Sequence, residues 1–377
     1  MRIGFAPAGA RDAATAVELA RRAEEHGLAE LWLSEDYLER AAFAVAGGVA
    51  AVTGRIGIGI GVINPWTRHV AVTAMECAAL AEMARGRLTV GLGASNRAWM
   101  ENQLGIPFRR PVSALLDFGT ALRTLLAGEE LDRQIADMAV RARLSFIPPA
   151  PGPDIVYGVK GESALRRCAP AADGVMLSVL SSPAYASWVS HEFKPRRLIG
   201  YALFSCHADR TAARARIAAR TARFLGVHGV APITALGGVP GAAAAEFRRR
   251  LLAGEEAAAL VTDAMLDALT VSGTPDDCAA ALDRFAEAGV DSLILSDDGA
   301  QDPVTALNAI AAIAQRSGYV PAPLSSRRRV IGMALPCALC PEMMWHPPSV
   351  QGRSPRTTPA PATWRTPRRP TSHQASR

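Results

Sequence analysis

The chain has 377 residues, 49% hydrophobic and 20% charged, a balance that suits a large globular core and speaks against general disorder. Its net charge of +6 is concentrated at one end: residues 324–377 hold nine arginines against the single acid Glu342, a net of +8, which leaves −2 for the remainder. A basic nucleic-acid-binding face is therefore not expected, and no apolar run approaches the ~20 residues of a membrane span.

The predicted elements alternate in type from the start. Residues 2–6 form a strand, and residues 13–26 a helix with Val17, Leu19, Ala20 and Ala23 on its buried face and Gly27 as its stop. Residues 30–34 and 56–63 are the second and third strands, 68–84 the helix that follows, and 87–92 the fourth strand. A loop over 94–108 leads to a helix at 112–126, and the stretch onward to Pro153 carries no assignable pattern. The rhythm resumes with a strand at 154–159, a helix at 161–171 and strands at 174–178 and 197–205. A helix at 209–225, a helix at 274–288 and a strand at 291–295 complete it. Thr274, Pro275 and Asp277 form a helix start with an N-cap, a proline at the first position and an acid in the first turn.

Strands alternating with helices favour a parallel sheet, and eight strands suffice to close it into an α/β (β/α)₈ TIM barrel. The expected organisation is a barrel domain over residues 1–318 with insertion segments, and a disordered Pro, Ser and Arg-rich tail over 319–377. Cys337 and Cys340 form an isolated CxxC in that tail, too little to predict a metal centre. Six thinly spread cysteines, and an opening that leads straight into a strand, point to a reduced, cytoplasmic protein.

Active sites of such barrels sit at the carboxyl ends of the strands. Five segments qualify: Ser34 to Asp36, Gly61 to Asn64, Gly93 to Asn96, Lys160 to Ser163, and Ser178 to Ser182. Glycines at 57, 59 and 61 leave room for a close approach and a bulge, either for a ligand or for a tight barrel corner. Gly91 to Asn96 lacks the third glycine of a dinucleotide fingerprint; a glycine turn against a planar ring suits it better. Lys160, the amides of the helix after it and Ser178 suit a phosphate, although Lys160 is equally consistent with a solvated loop. His69 fits either a general base or a loop-orienting residue. No nucleophile elbow and no metal-ligand spacing are present.

The run Asn64-Pro-Trp-Thr-Arg-His69, with Arg85-Gly-Arg87-Leu-Thr-Val-Gly91-Leu-Gly93, resembles the luciferase-like flavin and F420-dependent oxidoreductases. The resemblance is strongest to the branch typified by methylenetetrahydromethanopterin reductase. Leu31 to Asp36, Ala172 to Val175, Gly273 to Asp276 and Ala288 to Asp291 extend the likeness across residues 1–318.

The resemblance implies a cofactor ring lying across the strand ends and a non-proline cis peptide at Gly61-Val62 beneath it. Glu35, Asp36, Ile63 and Asn64 would face the ring and its polyol chain, and Ala94, Ser95 and Asn96 would cover another edge. Val159, Lys160, Gly161, Ser178 and Ser181 would surround the phosphate. Glu35 and Asp36 are the candidate catalytic acids. Asn96 stands where sugar-phosphate dehydrogenases of this branch carry a carboxylate, and Asp36 where they carry a histidine, which argues against a sugar-phosphate substrate. The expected activity is hydride transfer between coenzyme F420 and a small organic substrate. The alternatives are an FMN-dependent monooxygenase and a non-catalytic barrel that binds a small molecule or a partner; relatives of this kind are often homodimers.

Overall fold

The computed structural model describes residues 1–7, 12–36, 38–135, 138–297, 299 and 302–320. The expected disorder beyond residue 320 and the Cys337, Cys340 pair lie outside these residues. Tyr319 and Val320 belong to the packed chain: the Tyr319 hydroxyl donates to Asp283 Oδ1 at 2.8 Å, and Val320 is buried in the core.

Eleven strands are described: β1 (Arg2–Ala6), β2 (Glu30–Leu33), β3 (Gly57–Ile63), β4 (Leu88–Gly93), β5 (Leu131–Ile135), β6 (Met138–Ala142), β7 (Asp154–Gly158), β8 (Gly174–Met176), β9 (Leu198–Cys206), β10 (Val271–Gly273) and β11 (Ser292–Ser296). Eight of them pair in parallel in the order β9-β11-β1-β2-β3-β4-β7-β8, and β8 pairs back onto β9 to close the barrel. These eight are the strands expected from sequence. β10 extends the far end of the long β9, and β5 with β6 forms a separate antiparallel hairpin in the stretch left unassigned above.

Around the strands run α1 (Ala13–Glu25), α2 (Ala42–Val52), α3 (Val70–Ala84), α4 (Pro111–Leu126), α5 (Glu162–Cys168), α6 (Pro183–Phe193), α7 (Arg210–His228), α8 (Pro232–Ala235), α9 (Gly241–Ala253), α10 (Asp263–Leu269), α11 (Pro275–Glu287) and α12 (Pro303–Arg316). Short polar side chains start many of them: Asp12 accepts from Thr15 N at 2.9 Å, and Thr274 and Asp277 cap α11 reciprocally. Gly27, at φ 79°, ends α1 in the left-handed region that glycine tolerates best. The run α7 to α10 encloses a second apolar cluster around Leu225, Phe247 and Leu269, so the insertion between β9 and β10 is a helical pack with its own core.

Strand alternation divides side chains between two cores. Ile3, Phe5, Leu31, Ile58, Val90 and Tyr157 point outward into the helix-covered layer. Ala6, Trp32, Val156, Met176, Ile199 and Ile294 point inward, with Val62 and Tyr201 packed against them. Trp32 fills the middle of the barrel because Gly59 has no side chain; a Cβ there would lie 2.1 Å from the indole. Gly59 and Gly61 therefore make room for Trp32, while a Cβ on Gly57 would meet Glu30 Cγ at 3.2 Å.

Near the amino ends of the strands, Glu30 is 5% exposed. Its carboxylate accepts from Trp32 Nε1 at 2.9 Å, Arg197 Nη2 at 2.5 Å and Ser292 Oγ at 2.9 Å. This buried ionic plug anchors Trp32 from below.

Candidate functional site

The five segments singled out from sequence follow β2, β3, β4, β7 and β8, which are successive neighbours in one parallel sheet. All five therefore open at the same end of the barrel. At their centre β3 slips register against β4 between Ile60 and Ile63, and the Gly61-Val62 peptide is cis. The bulge is where the glycines of β3 allow one, and the isomer is the one that the family resemblance implied.

The bulge turns Val62 across the neighbouring strands. A Cβ on Gly93 would lie 2.4 Å from Val62 Cγ2, one on Gly158 2.9 Å from Cγ1, and one on Gly91 3.1 Å from Cγ1. These glycines of β4 and β7 thus receive a valine side chain, which corrects the reading of Gly91 and Gly93 as a turn shaped for a planar ring. Gly61 itself sits over Trp32 and Met176. The floor of the opening is consequently apolar and close-packed, a surface that excludes water from whatever rests on it.

Asn64, 2% exposed, accepts from Trp66 N at 2.9 Å and Thr67 N at 3.0 Å through Oδ1 and so shapes the loop after β3. Ile63 is buried in the outer layer. Both are structural supports of the bulge, and the expectation that they face a ring is revised accordingly. His69 accepts from Ala71 N at 3.2 Å as the N-cap of α3, the loop-orienting alternative.

After β4, Ala94 packs against the core, Ser95 adopts a left-handed φ of 59°, and Asn96 Oδ1 accepts from Trp99 N at 3.0 Å. Ser95 Oγ is buried with no hydrogen-bond partner. A buried hydroxyl left this way costs about 1–3 kcal/mol, so it fits a site completed by a ligand's polar group.

The two candidate acids separate. Glu35 Oε1 accepts from Arg68 Nε and Nη2 at 2.9 and 2.6 Å, and its Oε2 accepts from Ala42 N at 2.7 Å at the start of α2. Arg68 also holds Glu76 at 2.7 Å. With both oxygens engaged, Glu35 ties β2, α2 and α3 together, and its expected part in proton transfer is corrected to a structural one. Asp36 is open to solvent at the barrel mouth but walled by protein on its other sides. That enclosure, reinforced by Glu39, raises its pKa above the usual carboxylate value against the pull of Arg220 and Arg223.

Sequence reasoning missed the groups that surround Asp36. Tyr201 projects from β9 into the barrel, hydrogen-bonded to Ser296 and Ser34, and burial raises its pKa. Arg220 of α7 donates to the Asp297 carbonyl and lies 3.4 Å from Ser296 Oγ. The inward alternation of β9 was the available signal, since a tyrosine among apolar inward positions is an exception that asks for a reason.

On the opposite side, Val159 is buried, Lys160 half-buried and Gly161 open, with no atom within 4 Å of a Cβ built there. Lys160 Nζ lies 2.8 Å from His228 Nδ1, and Ser181 Oγ donates to the Ser178 carbonyl at 2.7 Å. The helix after Lys160 is α5, only seven residues long with Glu162 in its first turn, so positive charge here comes from the lysine rather than from helix amides. A cation without a carboxylate partner among the described residues, an orphaned hydroxyl and an apolar floor together fit a flat ring carrying a phosphate.

Known proteins are similar to this chain in sequence and in fold. The model of the luciferase-like monooxygenases matches residues 2–292. The 5,10-methylenetetrahydromethanopterin reductase of Methanolobus tindarius is 29% identical over 289 residues, covering 73% of this chain and 87% of that protein. Two solved structures share the fold. The coenzyme F420-dependent tetrahydromethanopterin reductase from Methanopyrus kandleri superposes with a TM-score of 0.71 at 19% identity, over 82% of this chain and 97% of its own. An F420-dependent secondary alcohol dehydrogenase, solved with an F420-acetone adduct, gives 0.65 at 17% identity over 84% and 97%. With the family's model matched over residues 2–292 and the closed eight-stranded barrel in place, the chain belongs to the luciferase-like monooxygenase family.

Proposed function

We propose that this protein is a cytoplasmic oxidoreductase that uses coenzyme F420 to move a hydride to or from a small organic molecule. The observation that carries the reading is the pairing of the apolar floor made by the β3 bulge with the Lys160 cation at the same barrel mouth. Two of the similar solved structures are named as F420-dependent, which supports F420 over FMN. When bound, the deazaflavin supplies the carbon that accepts or gives the hydride.

The chain's own residues hold and orient. Gly61 and Val62 form the floor, with Ile63 and Asn64 fixing the loop behind it. Ala94, Ser95 and Asn96 bound one edge, and Val159, Lys160, Gly161, Ser178 and Ser181 hold the phosphate. Holding reactants at reaction distance supplies much of the rate in chemistry of this kind. Asp36 and Tyr201 face the open side, where Asp36 carries the proton that accompanies the hydride. Fluorescence titration of the purified protein is expected to show micromolar F420 binding and at least tenfold weaker FMN binding. A protein that purifies yellow with stoichiometric FMN would sink the assignment.

Because the pKa of Asp36 is raised, its acid form persists to higher pH than for an ordinary carboxyl. In the reducing direction kcat/KM should fall as pH rises through that value. Asp36→Asn should remove this limb and lower kcat by about 10²–10⁴-fold, the usual worth of a positioned general acid. An unchanged pH profile in the variant would remove Asp36 from the chemistry.

α3 carries exposed Val72, Met75 and Met83 along its outer side, flanked by exposed Glu82 and half-buried Glu76. We propose that it pairs with the same face of a second copy. Light scattering should report a dimer that Met75→Lys with Met83→Lys converts to a monomer; a monomeric wild type would refute the pairing.

A further inference from the structure

We propose that His228 is a positioning residue that holds the Lys160 ammonium in place for the phosphodiester of the bound coenzyme; the inference rests on the coenzyme reading above. Lys160 leaves β7 clamped at both ends. Its carbonyl accepts from the Tyr185 hydroxyl at 2.6 Å, and its Nζ lies 2.8 Å from His228 Nδ1. His228, the last residue of α7, places Nε2 2.7 Å from the Val179 carbonyl.

The chemistry of these contacts assigns the tautomer. A carbonyl only accepts, so Nε2 carries the proton, and Nδ1 offers its lone pair to the ammonium. Burial and the adjacent ammonium push the imidazole pKa down to about 4, so the ring remains neutral and keeps this polarity at physiological pH. A charged imidazole would repel the lysine; a neutral one fixes it.

Lys160 then has two ammonium protons left, and no carboxylate pairs with it among the described residues. Burial and Arg248 of α9 disfavour its charge. An arriving anion relieves both penalties, since it supplies the missing counter-charge and takes the remaining donors. His228 thus links the loops after β7 and β8 to the end of α7 and aims one cation into the site. It had no functional signal in the sequence because 68 positions separate it from Lys160.

The experiment compares F420 with its phosphate-free 5-deazariboflavin chromophore, each titrated by fluorescence into wild type, Lys160→Met, His228→Leu and His228→Gln. Lys160→Met and His228→Leu should each weaken F420 by at least about tenfold, or about 1.4 kcal/mol, while the phosphate-free compound changes by less than about twofold. His228→Gln, whose amide can accept and donate in the same sense, should recover most of the F420 affinity. Equal losses for both compounds would reduce His228 to a structural clasp and overturn the proposal, as would no loss for F420. Thermal melts check folding, and if His228→Leu does not fold, Lys160→Met with His228→Gln decides. A wild type that binds neither compound overturns the coenzyme reading and this inference with it; binding of both without a split overturns the inference alone.

Discussion

Gly93→Ala is expected to weaken coenzyme binding by about thirtyfold, or about 2 kcal/mol, although a single methyl group is added. The new Cβ would lie 2.4 Å from Val62 Cγ2, closer than carbon atoms tolerate, and 3.1 Å from Val62 Cβ, a tight contact. Neither group can yield cheaply. Val62 is β-branched and stiff at χ1, its Cγ1 already faces Gly91 and Gly158, and Gly93 is fixed by its pairing with Gly158 in β7. Overpacking of this kind costs about 1–3 kcal/mol, and relief requires the bulge to lift into the space above the floor. Val62→Ala in the same chain should restore most of the affinity, since it removes Cγ2, the carbon that the new methyl would meet at 2.4 Å. The double-mutant cycle, read by F420 fluorescence and by urea denaturation, isolates that contact. Full binding by Gly93→Ala alone would show that the floor does not depend on the Val62 wedge.

Glu30→Ala acts at the other end of the barrel and on stability. The substitution leaves the Arg197 guanidinium, 14% exposed, without its carboxylate and deprives Trp32 Nε1 of its acceptor. Arg197 would keep a neutral contact, Nη2 to Ser292 Oγ at 3.1 Å, while its Nε already lacks a partner, so no second charge replaces the lost carboxylate. Removing one member of a buried ion pair costs about 3–5 kcal/mol because the other charge stays buried. Urea denaturation should show a loss in that range for Glu30→Ala and a smaller one for Glu30→Gln, which keeps an acceptor for the indole. A loss below about 1 kcal/mol for the alanine variant would mean that the plug is open to water. Since Trp32 supports Gly59 and Gly61 from beneath, a loosened plug should also soften the floor of the site.

Both expectations depend on contacts that a linear reading does not contain, and the same division runs through the whole molecule. The eight barrel strands were legible because each is a short apolar run bounded by turn residues, a pattern local to five to nine positions. The helices at 13–26 and 274–288 were legible from caps and from one apolar stripe. α2 was not, since Ala42–Val52 is apolar on every side and has no periodicity to read. Its place is set by contact instead: Gly48 lets α1 approach, with a Cβ there 2.9 Å from Val17 Cγ2. The β5–β6 hairpin and the helices α8 to α10 of the insertion were equally silent, because their apolar faces match partners remote in sequence.

The site divides in the same way. Position at the carboxyl end of a strand follows from the order of elements along the chain, and with the family resemblance it was enough to gather five segments and place the bulge at Gly61 and Val62. Which contacts each side chain makes there depends on the folded chain. Glu35 is claimed by Arg68 from 33 positions away and Glu30 by Arg197 from 167, while Lys160 is held by His228. Local pattern fixes backbone periodicity because hydrogen bonding and side-chain direction repeat over a few residues. The protonation and pairing of a charged group depend instead on which charges and how much water the closed barrel leaves within a few ångströms of it.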